Sequence, residues 1–78
     1  MKREITIKNK IRELRFFADE MTQKELGKKV GVTRQTIMAI EGGKYSPTLE
    51  LAFRISKVFG KELSEVFSCK ERSKIKRN

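Results

Sequence analysis

Between Thr22 and Glu41, twenty residues hold two helix starts and one forced helix stop. Thr22 and Glu25 have the spacing of a capping box, in which the hydroxyl accepts from the third helical N–H and the carboxylate reaches back to the cap's own N–H. Leu26 and Val30 then fall on one face of a helix over Gln23 to about Val30, and Gly31 stands where a left-handed residue ends it. Thr33 caps a second helix, about Arg34 to Gly42, whose Ile37 and Ile40 share a face. A connection this short forces the two helices to pack together. Downstream, Thr48 caps a helix over about Leu49 to Phe59, Glu50 suits its first-turn dipole, Gly60 stops it, and Leu63 to Phe67 reads as a short fifth helix. Upstream, Ile7, Ile11, Leu14 and Ala18 recur at helical spacing and place a first helix over about Asn9 to Ala18. Ile5 and Ile7 alternate with Glu4, Thr6 and Lys8, a period of two that suggests a short strand.

Composition narrows the function. A chain of 78 residues makes one domain, and 37% apolar residues make a thin core. Cys69 is the single cysteine, so no disulfide staples it, and histidine is absent. Histidine-based acid–base catalysis, Ser-His or Cys-His dyads and Cys/His zinc sites are excluded, so an enzyme is not expected, nor a metal, a cofactor or a small-molecule site. No apolar run exceeds four residues, so no membrane span or signal peptide is expected and the reading is cytoplasmic. The net charge is +9, unevenly spread: residues 22–47 carry five basic and two acidic groups, residues 48–67 three of each, and residues 68–78 five basic and one acidic. The neutral stretch is also the apolar one (Leu49, Leu51, Ala52, Phe53, Ile55, Val58, Phe59, Leu63, Val66, Phe67) and reads as the structural floor. The basic stretches point to a polyanion.

Two short helices joined by a tight glycine turn form a helix-turn-helix unit, here over residues 22–41. On the wheel of its second helix, Ile37 and Ile40 point one way with Thr36 beside them, while Gln35, Met38, Ala39 and Gly42 point the other, with Arg34 at the edge. That outward face carries no acid. Arginine reaches guanine O6/N7 and glutamine reaches adenine N6/N7, while Met38 and the Thr33 methyl suit thymine methyls. Thr33, Arg34, Gln35 and Met38 are therefore the candidate base contacts. Gln23 at the start of the first helix, Thr36, and the donors Lys44, Tyr45 and Ser46 after the second are the candidate phosphate contacts. Lys24, Lys28 and Lys29 read as plain surface charges.

The runs Met21-Thr22-Gln23-Lys24-Glu25-Leu26, Val30-Gly31-Val32-Thr33-Arg34-Gln35-Thr36-Ile37 and Ile40-Glu41-Gly42-Gly43-Lys44-Tyr45-Ser46-Pro47 closely resemble the Cro/lambda-repressor-like helix-turn-helix regulators, also called the xenobiotic-response-element family. The continuation from Leu49 to Phe67 is similar to the short, single-domain prokaryotic branch. The resemblance implies an all-α, five-helix DNA-binding domain, usually dimeric, with base contacts at the first turns of the recognition helix. Some short members add a small two-stranded sheet joining their ends, which for this chain means a strand at Ile5 and Ile7 and a partner around Ser68 to Lys70. The organisation expected is an N-terminal arm or strand (1–8), a helix-turn-helix domain (9–67) and a basic C-terminal tail (68–78), mobile from Lys70 to Asn78. Three departures stand out: Gly27 replaces the usual alanine, Gly42 replaces a common asparagine, and the connection after helix 1 is one residue longer.

The resemblance pairs Arg15 with Glu41 as a structural ion pair. Cys69 reads as an incidental thiol. The function expected is a sequence-specific regulator of transcription, a homodimeric repressor on a near-palindromic operator of double-stranded DNA, with a cytoplasmic, nucleoid-associated, prokaryotic location. Two alternatives stay open: the antitoxin of a toxin–antitoxin pair, and a coactivator that uses this fold to bind protein.

Overall fold

In the computed structural model, which describes residues 3–73, the chain runs β1 (Arg3–Asn9), α1 (Ile11–Phe17), α2 (Gln23–Val30), α3 (Arg34–Glu41), α4 (Leu49–Val58), α5 (Leu63–Val66) and β2 (Phe67–Ser73). The threonine caps set three of the helix starts. The Thr22 hydroxyl accepts from the Glu25 N–H at 2.9 Å while the Glu25 carboxylate accepts from the Thr22 N–H at 2.8 Å. Thr33 accepts from the Thr36 N–H at 3.2 Å, and Thr48 from the Leu51 N–H at 3.1 Å. Gly31 ends α2 with φ of +84°, a conformation that strains any residue bearing a Cβ.

The core is assembled from all five helices. Ile11, Leu26, Val30, Ile37, Ile40, Ile55 and Val66 are almost completely buried, with Leu51 and Ala52 beside them. Each isoleucine, leucine and valine among them contributes about 1.5–3 kcal/mol by leaving water. α2 and α3 approach closely enough that a Cβ on Gly27 would lie 2.6 Å from the Val32 carbonyl oxygen. Glycine at this position is thus matched to how tightly the turn folds back on α2. Arg54 ties α4 to the same corner, donating to the Val30 carbonyl at 3.3 Å and to Glu50 at 2.6 Å.

Several boundaries differ from the sequence reading. α1 begins at Ile11 because Asn9 closes β1 and caps the helix from outside, its Oδ1 accepting from the Ile11 N–H at 3.1 Å and its Nδ2 donating to the Ile40 carbonyl at 3.0 Å. Gly42 and Phe59 are caps rather than helical residues, and Phe67 opens β2. Ile7 lies in β1, not on the helical face shared by Ile11 and Leu14. The two strands pair antiparallel from Asn9↔Phe67 through Ile7↔Cys69 and Ile5↔Glu71 to Arg3↔Ser73. β2 therefore extends beyond Lys70, and the stretch from Lys70 to Ser73 is sheet rather than mobile tail; residues 74–78 lie outside the described ones. In the neutral stretch, Leu49 and Phe53 are exposed and belong to no floor.

Candidate nucleic-acid interface

α3 is held by one face and leaves the other to solvent. Ile37 and Ile40 are buried, whereas Thr33, Arg34, Gln35 and Met38 are exposed and Ala39 and Thr36 are half-buried. The wheel's division into inward and outward residues is thus realised. The Thr33 hydroxyl is committed to the helix, sharing a hydrogen bond with the Thr36 hydroxyl at 3.1 Å besides its cap. Arg34 and Gln35 sit in the first turn, where no acid stands.

The loop after α3 is shaped by Gly43, whose φ of +76° lets the Lys44 N–H bond back to the Ala39 carbonyl at 2.9 Å. That reversal leaves Lys44, Tyr45 and Ser46 exposed directly beyond the helix.

A cleft of about 650 Å³ opens between α1, the start of α2 and the start of α3, lined by Arg12, Arg15, Thr22, Gln23, Lys24, Arg34 and Glu41 among others. At its base Arg15 and Glu41 form a two-point pair: Arg15 Nε donates to Oε2 at 2.7 Å and Nη2 to Oε1 at 3.1 Å. Arg15 Nη1 also donates to the Met21 carbonyl at 2.8 Å. Gln23 joins this network, its Nε2 donating to Glu41 Oε1 at 3.0 Å. Its amide is therefore partly engaged within the protein, which the sequence reading did not foresee. Both acids of the segment 22–47 are occupied, Glu41 by Arg15 and Glu25 by the Thr22 cap. The Thr22 backbone N–H, with the Thr22 hydroxyl assisting, holds the Glu25 carboxyl below its ordinary value. The cleft holds four basic side chains (Arg12, Arg15, Lys24 and Arg34) against two carboxylates, Glu20 and the Arg15-bound Glu41.

Sequence reading set Lys24 aside and passed over Arg12, yet both line this cleft. Their positions depend on how α1 crosses α2, which no local pattern records. The connection after α1 holds Asp19 and Glu20 at φ of +60° and +55°, and Phe16 and Phe17 beside it are exposed, their rings edge-to-face with centroids 5.4 Å apart. No group of three or more metal-ligating side chains gathers among the described residues, and none of their helices is long and apolar enough to cross a membrane.

The helix-turn-helix family profile matches residues 11–66, from the first residue of α1 to the last of α5. The chain belongs to the Cro/C1-type helix-turn-helix family. Like its family, it is an HTH-type transcriptional regulator, a class of DNA-binding proteins and not of enzymes. An uncharacterized HTH-type transcriptional regulator of Methanocaldococcus jannaschii is 51% identical over 61 residues, covering 78% of this chain and 91% of that protein. One of Bacillus subtilis is 48% identical over 65 residues, covering 83% of this chain and 97% of that protein. The cryptic phage CTXphi transcriptional repressor RstR of Vibrio cholerae is 36% identical over 63 residues, covering 81% of this chain and 56% of that protein.

Proposed function

We propose that this chain represses transcription as a homodimer seated on a near-palindromic operator, acting in the cytoplasm on nucleoid DNA. The observation that carries the reading is the acid-free outward face of α3, with Arg34 and Gln35 in its first turn and Met38 one turn on, beside a cleft that brings Arg12, Lys24 and Arg34 together and whose Glu41 is bound to Arg15. In a major groove, Arg34 reads guanine, Gln35 reads adenine, and Met38 with Thr33 packs against thymine methyls. Phosphates on either side are held by the free N–H groups at the start of α2, with Gln23 and Thr36, and by Lys44, Tyr45 and Ser46 beyond α3. Repression follows when the bound dimer occludes a promoter; the similarity to a protein named a transcriptional repressor supports this sign of regulation.

The test is in vitro selection from random duplex DNA at near-physiological salt with excess non-specific competitor. Enrichment of a two-fold-symmetric site with half-sites about 10 base pairs apart is the expected result. Recovery of only salt-sensitive, sequence-blind binding would refute it, since that behaviour needs the positive charge alone.

A further inference from the structure

The cleft beside the recognition helix contains an acid with no partner. Glu20 lines it together with Arg12, Lys24 and Arg34, and also lines a smaller hollow of about 280 Å³ formed with Arg12, Phe16 and Met21. Glu41, the cleft's other carboxylate, is held by Arg15. Among the described residues the Glu20 carboxylate takes part in no hydrogen bond or ion pair. Its backbone is fixed nonetheless. The Glu20 N–H donates to the Phe16 carbonyl at 3.1 Å, the Met21 N–H to the Arg15 carbonyl at 2.9 Å, and Arg15 Nη1 to the Met21 carbonyl at 2.8 Å. Asp19 and Glu20 reach this place through left-handed backbone, a region that glutamate rarely occupies.

We propose that Glu20 limits how tightly this chain holds DNA of any sequence, by placing a negative charge beside the seat of a backbone phosphate. The inference rests on the DNA-binding reading above and adds to it a residue that opposes binding. A cleft of about 650 Å³ is roughly 9 Å on a side, so a phosphate seated between Arg12 and Lys24 lies within one Debye length of the carboxylate, ~10 Å at 0.1 M salt, and is repelled by it. Every sequence carries that phosphate, so the repulsion lowers affinity without altering what Arg34 and Gln35 read. In a chain of net charge +9, sequence-blind attraction rises with each phosphate neutralised, and an unpaired carboxylate at the seat holds it down. Other acids are not placed to do this. Glu25 is tied to the Thr22 cap, Glu41 to Arg15 and Glu50 to Arg54, and Glu13 lines neither hollow.

The test is fluorescence anisotropy of the full chain with a mixed-sequence duplex of about 20 base pairs, titrated between about 50 and 200 mM salt. Glu20→Gln, judged folded by circular dichroism, is expected to bind ~3–10-fold tighter than wild type at about 0.1 M salt, with a salt slope steeper by up to ~1. Glu20→Asp keeps the charge and is expected to bind like wild type. Glu13→Gln, which removes an exposed acid outside the cleft, is expected to stay within about 2-fold of wild type. Should Glu20→Gln unfold the chain, Glu20→Asn decides, since asparagine tolerates left-handed backbone and also removes the charge. Affinity unchanged or weakened on loss of the Glu20 charge, or raised equally by Glu13→Gln, overturns the proposal. Because the duplex carries no chosen operator, failure to select a symmetric site leaves this result standing. A wild type and a Glu20→Gln variant that both ignore duplex DNA at low salt overturn the DNA-binding reading and this proposal together, whereas a wild type that binds and a variant that binds no better overturns this proposal alone.

Discussion

Replacing Glu41 by alanine strands the Arg15 guanidinium in a place water barely reaches. The two side chains are only 15% and 10% exposed, and Glu41 accepts three hydrogen bonds, two from Arg15 and one from Gln23. Breaking a buried pair from one side costs about 3–5 kcal/mol. Arg15 keeps its bond to the Met21 carbonyl and some contact with water, so the lower end applies, ~3 kcal/mol. For a domain of this size that lowers the melting temperature by ~12–24 °C, against a total stability of only ~4–12 kcal/mol. Thermal melts by circular dichroism read this directly. Glu41→Gln keeps an acceptor and loses the charge, and should fall between wild type and alanine. The double change Arg15→Met with Glu41→Leu should melt above Glu41→Ala, since no charge is left unpaired. The sequence preference of Glu41→Ala, measured where it is still folded, should match wild type. A melting point within ~2 °C of wild type would refute the reasoning, because it would mean the pair is solvated well enough to be worth little.

Gly27→Ala gains ~1 kcal/mol of helix propensity, yet its Cβ would meet the Val32 carbonyl oxygen at 2.6 Å, so a net loss of ~1–2 kcal/mol is expected in urea unfolding, and a more stable variant would contradict the close approach. The depressed Glu25 carboxyl contributes stability that is present above the unfolded value of 4.5 and is lost as pH falls through the lower folded value; melting temperature against pH in acid should be flatter for Glu25→Gln than for wild type, and parallel curves would dismiss the capping link. In the proposed complex, Arg34→Ala and Gln35→Ala each lose ~1–3 kcal/mol at particular base pairs, whereas Lys44→Ala weakens all sequences alike and lowers the salt slope; identical profiles for Arg34→Ala and Lys44→Ala would void that division of roles.

The helix starts were legible because their causes are local. Thr22, Thr33 and Thr48 each bond an N–H three residues on, and Gly31 needs nothing beyond its own backbone to turn left-handed. The inward and outward residues of α3 were legible for the same reason, since one helical period relates them. Arg15 and Glu41 were paired through resemblance, and the structure joins them across 26 residues of chain. The length of the ribbon was only half visible: Ile5 and Ile7 alternate, but the stretch from Phe67 to Ser73 shows little apolar alternation and becomes a strand by pairing with residues near the other end. Likewise the engagement of Gln23 by Glu41, the placement of Arg12 and Lys24 in one cleft, and the clash awaiting a Cβ at Gly27 arise where helices meet. Leu49 and Phe53 make the contrast plain. Hydropathy assigns them to a core, yet the core is closed by Leu51, Ala52 and Ile55 on the other side of the same helix. By itself, then, the sequence determined where helices begin, where they stop and which side of the recognition helix is polar, because hydrogen bonds of three or four residues' reach settle those matters. Only the tertiary structure decided which apolar side chains remain outside and which charges share a cleft, because burial depends on what packs across from a residue, and that neighbour is distant in the chain.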